Sequence, residues 1–94
     1  MDDFNDNVQQ LVHIRIQQRN GKKSITTING IDDKYDYNKL LKVFKLEFAC
    51  NGCIVKNKEY GEIIQLQGDK RYEVKKFLVD VKIINEKFVK IHGF

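Results

Sequence analysis
Between Val12 and Gln17 apolar Val12, Ile14 and Ile16 alternate with polar His13, Arg15 and Gln17, and Asn20-Gly21 follows at once. Period-two alternation sends one set of side chains to a buried face and the other to solvent, which is the mark of a half-buried strand. Asn-Gly is the strongest two-residue hairpin signal, because both positions tolerate positive φ. Arg19-Asn20-Gly21-Lys22-Lys23 is therefore predicted to turn the chain, with Ser24–Ile28 as the returning strand. Ile25 and Ile28 have opposite parity, so the return strand either carries a bulge or meets apolar groups on both faces.

With no proline in the chain, Gly, Asn and Asp serve as punctuation. Asp36 is predicted to cap a helix running to about Phe48, whose apolar stripe is Tyr37, Leu40, Leu41, Phe44 and Phe48. Asn51-Gly52 is expected to stop it. A second hairpin is predicted from Cys53–Lys56 and Gly61–Gln67 around Asn57-Lys58-Glu59-Tyr60, and Gly68 breaks the second strand. Asp69 is expected to cap another helix, with Val74, Phe77, Leu78 and Val81 facing inward. Phe88, Val89 and Ile91 suggest a short last strand.

The order β-β-α-β-β-α-β implies an α+β two-layer sandwich, a mixed five-stranded sheet with two helices packed on one face and the other face open. Ninety-four residues allow one core, burying roughly 63–66% of the unfolded surface. Residues 1–8 read as a disordered acidic tail and 9–94 as a single α+β domain.

Asp2, Asp3 and Asp6 sit in that tail, so residues 8–94 carry a net charge of +7 against +4 for the whole chain. Such an excess favours a polyanionic partner, since counterions released from phosphates drive association almost regardless of sequence. No apolar run approaches a membrane span, and the acidic start lacks the parts of a signal peptide, so a cytoplasmic protein is expected. Cys50 and Cys53 have the spacing of half a zinc site that His13 and His92 could in principle complete, but two chelating pairs of matched spacing are the strong zinc signal and only one is present. Free thiols in the core, without metal or cofactor, are the expectation.

Four runs are more specific: His13-Ile14-Arg15-Ile16-Gln17-Gln18-Arg19-Asn20-Gly21, Phe48-Ala49-Cys50-Asn51-Gly52, Gly61-Glu62-Ile63-Ile64-Gln65-Leu66-Gln67-Gly68-Asp69 and Ile91-His92-Gly93-Phe94. In wording and order, residues 12–94 resemble the eukaryotic translation initiation factor 1 family. The resemblance implies a non-enzymatic factor that binds the small ribosomal subunit near its peptidyl site, favours an open scanning state, and leaves once initiator tRNA pairs with a start codon.

On that resemblance Arg19, Asn20, Gly21, Lys22 and Lys23 form a hairpin that reaches rRNA and mRNA, although Lys22 stands where relatives often have Arg. Lys39, Lys42 and Lys45 lie at i, i+3 and i+6 on the helix side away from the apolar stripe, a cationic ridge that relatives use against rRNA. Leu46 replaces a usual Lys, so either a protein contact has taken the place of a phosphate contact or one ion pair is lost. Leu46, Asp69, Lys70, Arg71 and Gly93 are candidate contacts for other initiation factors of the preinitiation complex. Asn57, Lys58, Glu59 and Tyr60 resemble the loop that opposes full seating of initiator tRNA, but relatives commonly carry two negative charges there. The implied protein is a monomer with no membrane partner.

Two readings compete. A standalone RNA-binding regulator would need no ribosome, though aromatic stacking platforms typical of single-strand readers are not evident in the sequence. A small acyl-phosphate enzyme of similar shape could place Arg19 or Arg15 with Asn20 on a phosphate, yet no catalytic motif stands at diagnostic spacing.

Overall fold
The alternating segment forms strand β1 (Val12–Gln18), and β2 (Ser24–Asn29) runs antiparallel beside it, from Gln18 opposite Ser24 to His13 opposite Asn29. This computed structural model describes residues 11–19 and 21–93; the tail expected over 1–8, Asn20 and Phe94 lie outside the described residues. No residue is skipped in that ladder, nor where β2 meets β4 (Gly61–Gln67), from Ile25 opposite Gln67 to Ile28 opposite Ile64. The parity question is thereby answered without a bulge, as Ile28 is fully buried under the helices and Ile25 is half-buried on the other face.

Strand β3 (Gly52–Asn57) pairs antiparallel with β4, and β5 (Val89–Ile91) lies parallel to β1, giving the order β3-β4-β2-β1-β5. The fold is the expected α+β sandwich on a mixed five-stranded sheet. Its register sets Ile54, Ile64, Ile28, Ile14 and Ile91 side by side, one isoleucine from every strand. Branched side chains with one preferred rotamer fill such a pleated row well.

Helix α1 (Tyr37–Glu47) and helix α2 (Arg71–Asp80) cover this row, contributing Tyr37, Leu40, Phe44, Val74 and Leu78 to the core. Phe44 and Phe77 meet edge to face at 5.5 Å and lock the helices to each other. At the start of α1, Asp36 Oδ1 accepts from the backbone of Asn38 at 2.9 Å and of Lys39 at 3.4 Å, as a cap should. The helix stops before Asn51-Gly52, because Ala49 turns left-handed at φ 49° and the Cys50 N–H donates to the Lys45 carbonyl at 3.2 Å. Gly52 instead begins β3, where a Cβ would stand 2.4 Å from the Gln65 carbonyl oxygen.

Two expectations for the second helix are corrected. Its N-cap is Lys70 and not Asp69. The Lys70 N–H donates to the buried Thr26 hydroxyl at 2.8 Å, and that hydroxyl donates to the Gly68 carbonyl at 2.7 Å, so a sheet residue fastens the helix start. Val81 is 48% exposed because the helix ends at Asp80 and Lys82 turns left-handed at φ 62°. The chain then folds back through an Ile83 N–H bond to the Leu78 carbonyl at 3.0 Å, and Ile83 and Ile84 pack where Val81 was expected. Phe88 belongs to a short 3-10 turn, Glu86–Phe88, leading into β5.

Gly30 leaves β2 at φ 98°, and a Cβ there would lie 2.1 Å from the Leu11 carbonyl oxygen. Gly30→Ala combines a conformation that L side chains avoid with a backbone clash, and should cost at least ~2 kcal/mol. Urea unfolding should show a lower midpoint at unchanged slope; a change below ~0.5 kcal/mol would contradict this packing.

Candidate nucleic-acid interface
The first hairpin closes through the Arg19 N–H on the Lys23 carbonyl at 2.7 Å, a wider loop than a two-residue turn. Gly21 holds φ 59°, and its carbonyl accepts from Gln18 Nε2 at 2.6 Å. Arg19, Lys22 and Lys23 are all exposed around this loop, on a support braced by backbone bonds.

On α1 the exposed ridge of Lys39, Lys42 and Lys45 lies opposite buried Tyr37, Leu40 and Phe44, as its spacing required. Leu46 is 80% exposed beside it, an isolated apolar side chain with only Val43 nearby in sequence to extend it. Lys45 also reaches a hollow of about 570 Å³ that it lines with Asn51, Gln67, Gly68 and Lys70, and no carboxylate shares the lining. The Gly68 N–H donates to the Ser24 carbonyl at 2.8 Å, which ties this hollow to the root of the first hairpin. One end of the sheet thus gathers the hairpin cations, Lys45 and Lys70.

The second hairpin projects from the opposite end of β4, about 20 Å away by strand rise. Asn57 Oδ1 accepts from Glu59 N at 2.7 Å and Tyr60 N at 3.0 Å, while Gly61 takes φ 76°. An Asx turn therefore shapes the tip, leaving Lys58 and Glu59 exposed. Tyr60 leans toward the sheet, its ring 5.8 Å from the guanidinium of Arg15, whose Nη1 donates to Asn29 Oδ1 at 2.8 Å.

Of the candidate partner contacts, Asp69, Arg71 and Gly93 come together, whereas Leu46 stands on α1. Arg71 grips Asp69 with two bonds of 2.8 Å, and its Nη1 donates to the His92 carbonyl at 3.1 Å, next to Gly93. The Arg71 hydrogen bonds hold the Asp69 carboxyl below its usual range. This cluster ties the start of α2 to the chain beyond β5.

The pattern of the family described as "Translation initiation factor SUI1" matches residues 8–84. The chain is 54% identical over 83 residues to human eukaryotic translation initiation factor 1, covering 88% of this chain and 74% of that protein. The chain belongs to the SUI1 translation initiation factor family. An Oryza sativa subsp. indica relative, described as a protein translation factor SUI1 homolog, is also 54% identical over 83 residues, 88% of this chain and 72% of its own length. In fold, the C-terminal domain of human eIF2D is similar at TM-score 0.76 and 13% identity, over 86% of this chain and 42% of that one. At that identity the likeness speaks for the fold alone.

Not all cysteines of this SUI1-family chain are core thiols. Cys50 is half-buried, and burial pushes its thiol up; Cys53 is exposed, since it precedes Ile54 on β3 and points away from the helices. Among the described residues no three of His, Cys, Asp and Glu cluster as metal ligands would, and no helix is long and apolar enough to cross a membrane. An open hollow of about 1140 Å³ lies between residues 30–35 and 82–88. Asp32 and Glu86 line it with Lys34 and Lys82.

Beyond their place on the polar side of a strand, the sequence offered His13 only as a remote zinc ligand with His92 and Arg15 only as a phosphate contact in the enzyme reading. The structure adds partners that alternation cannot reveal: His13 Nδ1 lies 3.0 Å from His92 Nε2, 79 residues away. Burial, then the charges of Arg15, His92 and Lys90, lower the His13 pKa from the ordinary histidine value. The unfolded chain consequently takes up this proton first, near pH 6.5, and the folded chain only at lower pH. Stability should be insensitive to His13 above about pH 6.5 and fall as pH drops through the window below it. The Asp69 contribution has its own window, being lost only as that carboxylate is protonated in stronger acid. Urea unfolding between about pH 7.5 and 5.5 should show a midpoint that falls on acidification in the wild type and falls less in His13→Gln. Equal falls would contradict the assignment.

Proposed function
We propose that this chain binds the small ribosomal subunit near its peptidyl site through rRNA, favours the open state that scans mRNA, and departs when initiator tRNA pairs with a start codon. The observation that carries this reading is the gathering of the hairpin cations with Lys45 and Lys70 at one end of the sheet, with a polar hairpin tip shaped by an Asx turn at the other. Cations on braced supports bind phosphates and position a protein without any nucleophile. The human relative is described as a translation initiation factor and the Oryza sativa one as a translation factor, which accords with a role as a binding factor without catalysis. Arg19, Asn20, Gly21, Lys22 and Lys23 would enter an rRNA and mRNA groove while Lys39, Lys42 and Lys45 meet rRNA. Leu46 and the Asp69, Lys70, Arg71 and Gly93 corner would face other initiation factors. The protein would act as a monomer in the cytoplasm.

Changing Lys39, Lys42 and Lys45 together to Glu removes three attractions and adds three repulsions beside phosphates. Subunit affinity should fall strongly, and the slope of log affinity against log salt should shrink by roughly two to three units, at ~0.7–0.9 per contact. An unchanged slope with native circular dichroism would remove the ridge from the binding surface.

Asn57, Lys58, Glu59 and Tyr60 would stand toward the initiator tRNA and oppose its full seating by charge. Asn57→Asp keeps the oxygen that accepts both turn bonds and adds a negative charge, whereas Glu59→Gln removes one. A charge ~6 Å from a phosphate is worth about 0.7 kcal/mol at a dielectric near 80 and about 2.8 near 20, and screening favours the low end. Asn57→Asp should therefore lower initiation at near-cognate codons relative to AUG by about threefold, and Glu59→Gln should raise it. Paired reporters differing only in start codon measure this; equal ratios for all three proteins would exclude charge at this tip as the gate.

A further inference from the structure
We propose that the sheet face turned away from both helices is a binding platform for single-stranded RNA, separate from the cations assigned to the ribosome. Both helices lie on the isoleucine side, so the other side of the sheet is left without a covering layer among the described residues. Its side chains follow from the register. Arg15 stands opposite Thr27, which stands opposite Gln65; Gln17 stands opposite Ile25, which stands opposite Gln67. Along the next row His13 is flanked by Asn29 and Lys90. Among the described residues paired on this face there is no carboxylate, although the chain carries 13 Asp and Glu. The one strand carboxylate, Glu62, pairs with Lys56 on the helix side. A merely solvated face would mix signs; this one presents Arg15 and Lys90 unopposed to a polyanion.

Charge alone would equally suit an acidic peptide, but rings and amides point to bases. Tyr60 is 49% exposed at the edge of Arg15, and the His13 and His92 rings stack with centroids 5.2 Å apart. Flat groups beside cations are what single-strand readers use, since every base has a π-face. The long amides of Gln17, Gln65 and Gln67 offer donors and acceptors to base edges, and Asn29 fixes the Arg15 guanidinium in advance of any ligand.

The full chain, without ribosomes, should raise the fluorescence anisotropy of a short labelled oligouridine at low salt. Gln17→Glu with Gln65→Glu places two carboxylates on the face and should weaken binding roughly tenfold or more. Gln17→Glu alone changes an exposed side chain and keeps the test decisive if the pair disturbs folding. Tyr60→Ala should weaken oligouridine binding while Tyr60→Phe retains it, as stacking requires. Cosedimentation of the Gln17→Glu variant with small subunits reads the ribosomal proposal separately: retained subunit binding with lost oligouridine binding is the expected result. An oligouridine affinity within about twofold of wild type for Gln17→Glu and the folded double variant overturns the proposal. So does a polyglutamate peptide that binds this face as tightly as oligouridine, which would assign it to an acidic protein partner.

Discussion
The row of Ile54, Ile64, Ile28, Ile14 and Ile91 is the contact on which the rest of the molecule depends. It sets the register of all five strands at once, because a one-residue slip in any strand would turn its isoleucine to the other face. It also decides where the helices go, since Phe44, Val74 and Leu78 can be fully buried only over this row and its neighbours. The helices then hold the charged surfaces apart: the ridge of Lys39, Lys42 and Lys45 points outward because Leu40 and Phe44 point in.

Much of this was legible in local pattern. Val12, Ile14 and Ile16 announce their strand, Asp36 and the stripe from Tyr37 to Phe48 announce α1, and Gly61–Gln67 forms the strand predicted for it. What escaped was held by contacts distant in sequence. Asp69 obeys the local rule for a helix cap, but Thr26, 44 residues before Lys70, supplies the hydroxyl that meets the helix start. Val81 keeps the helical period one residue beyond the last helical turn, where the chain has already changed direction. The exposure of Cys53 could have been read from strand parity, as its neighbour Ile54 faces the core.

The candidate site shows the same division. The cations of the first hairpin and of α1 could be named from charge, spacing and family resemblance. Their convergence through Lys45, Lys70 and Gly68 could not, because it depends on how β2 and β4 pair. The aromatic and cationic grouping of Arg15, Tyr60, His13 and His92 likewise exists only once β1 lies next to β2 and β5. A small chain with one core can present several separate candidate surfaces when its sheet is covered on one face only: a hairpin and helix end, a second hairpin tip and the uncovered face.

Those surfaces underlie the proposal that this SUI1-family chain is a factor for the small ribosomal subunit. Its most direct test is sedimentation of the purified chain with small subunits, free large subunits and whole ribosomes, at an ionic strength that suppresses general attraction to RNA. The account predicts co-sedimentation with small subunits alone. Equal recovery with large subunits, or none with any particle, would contradict it.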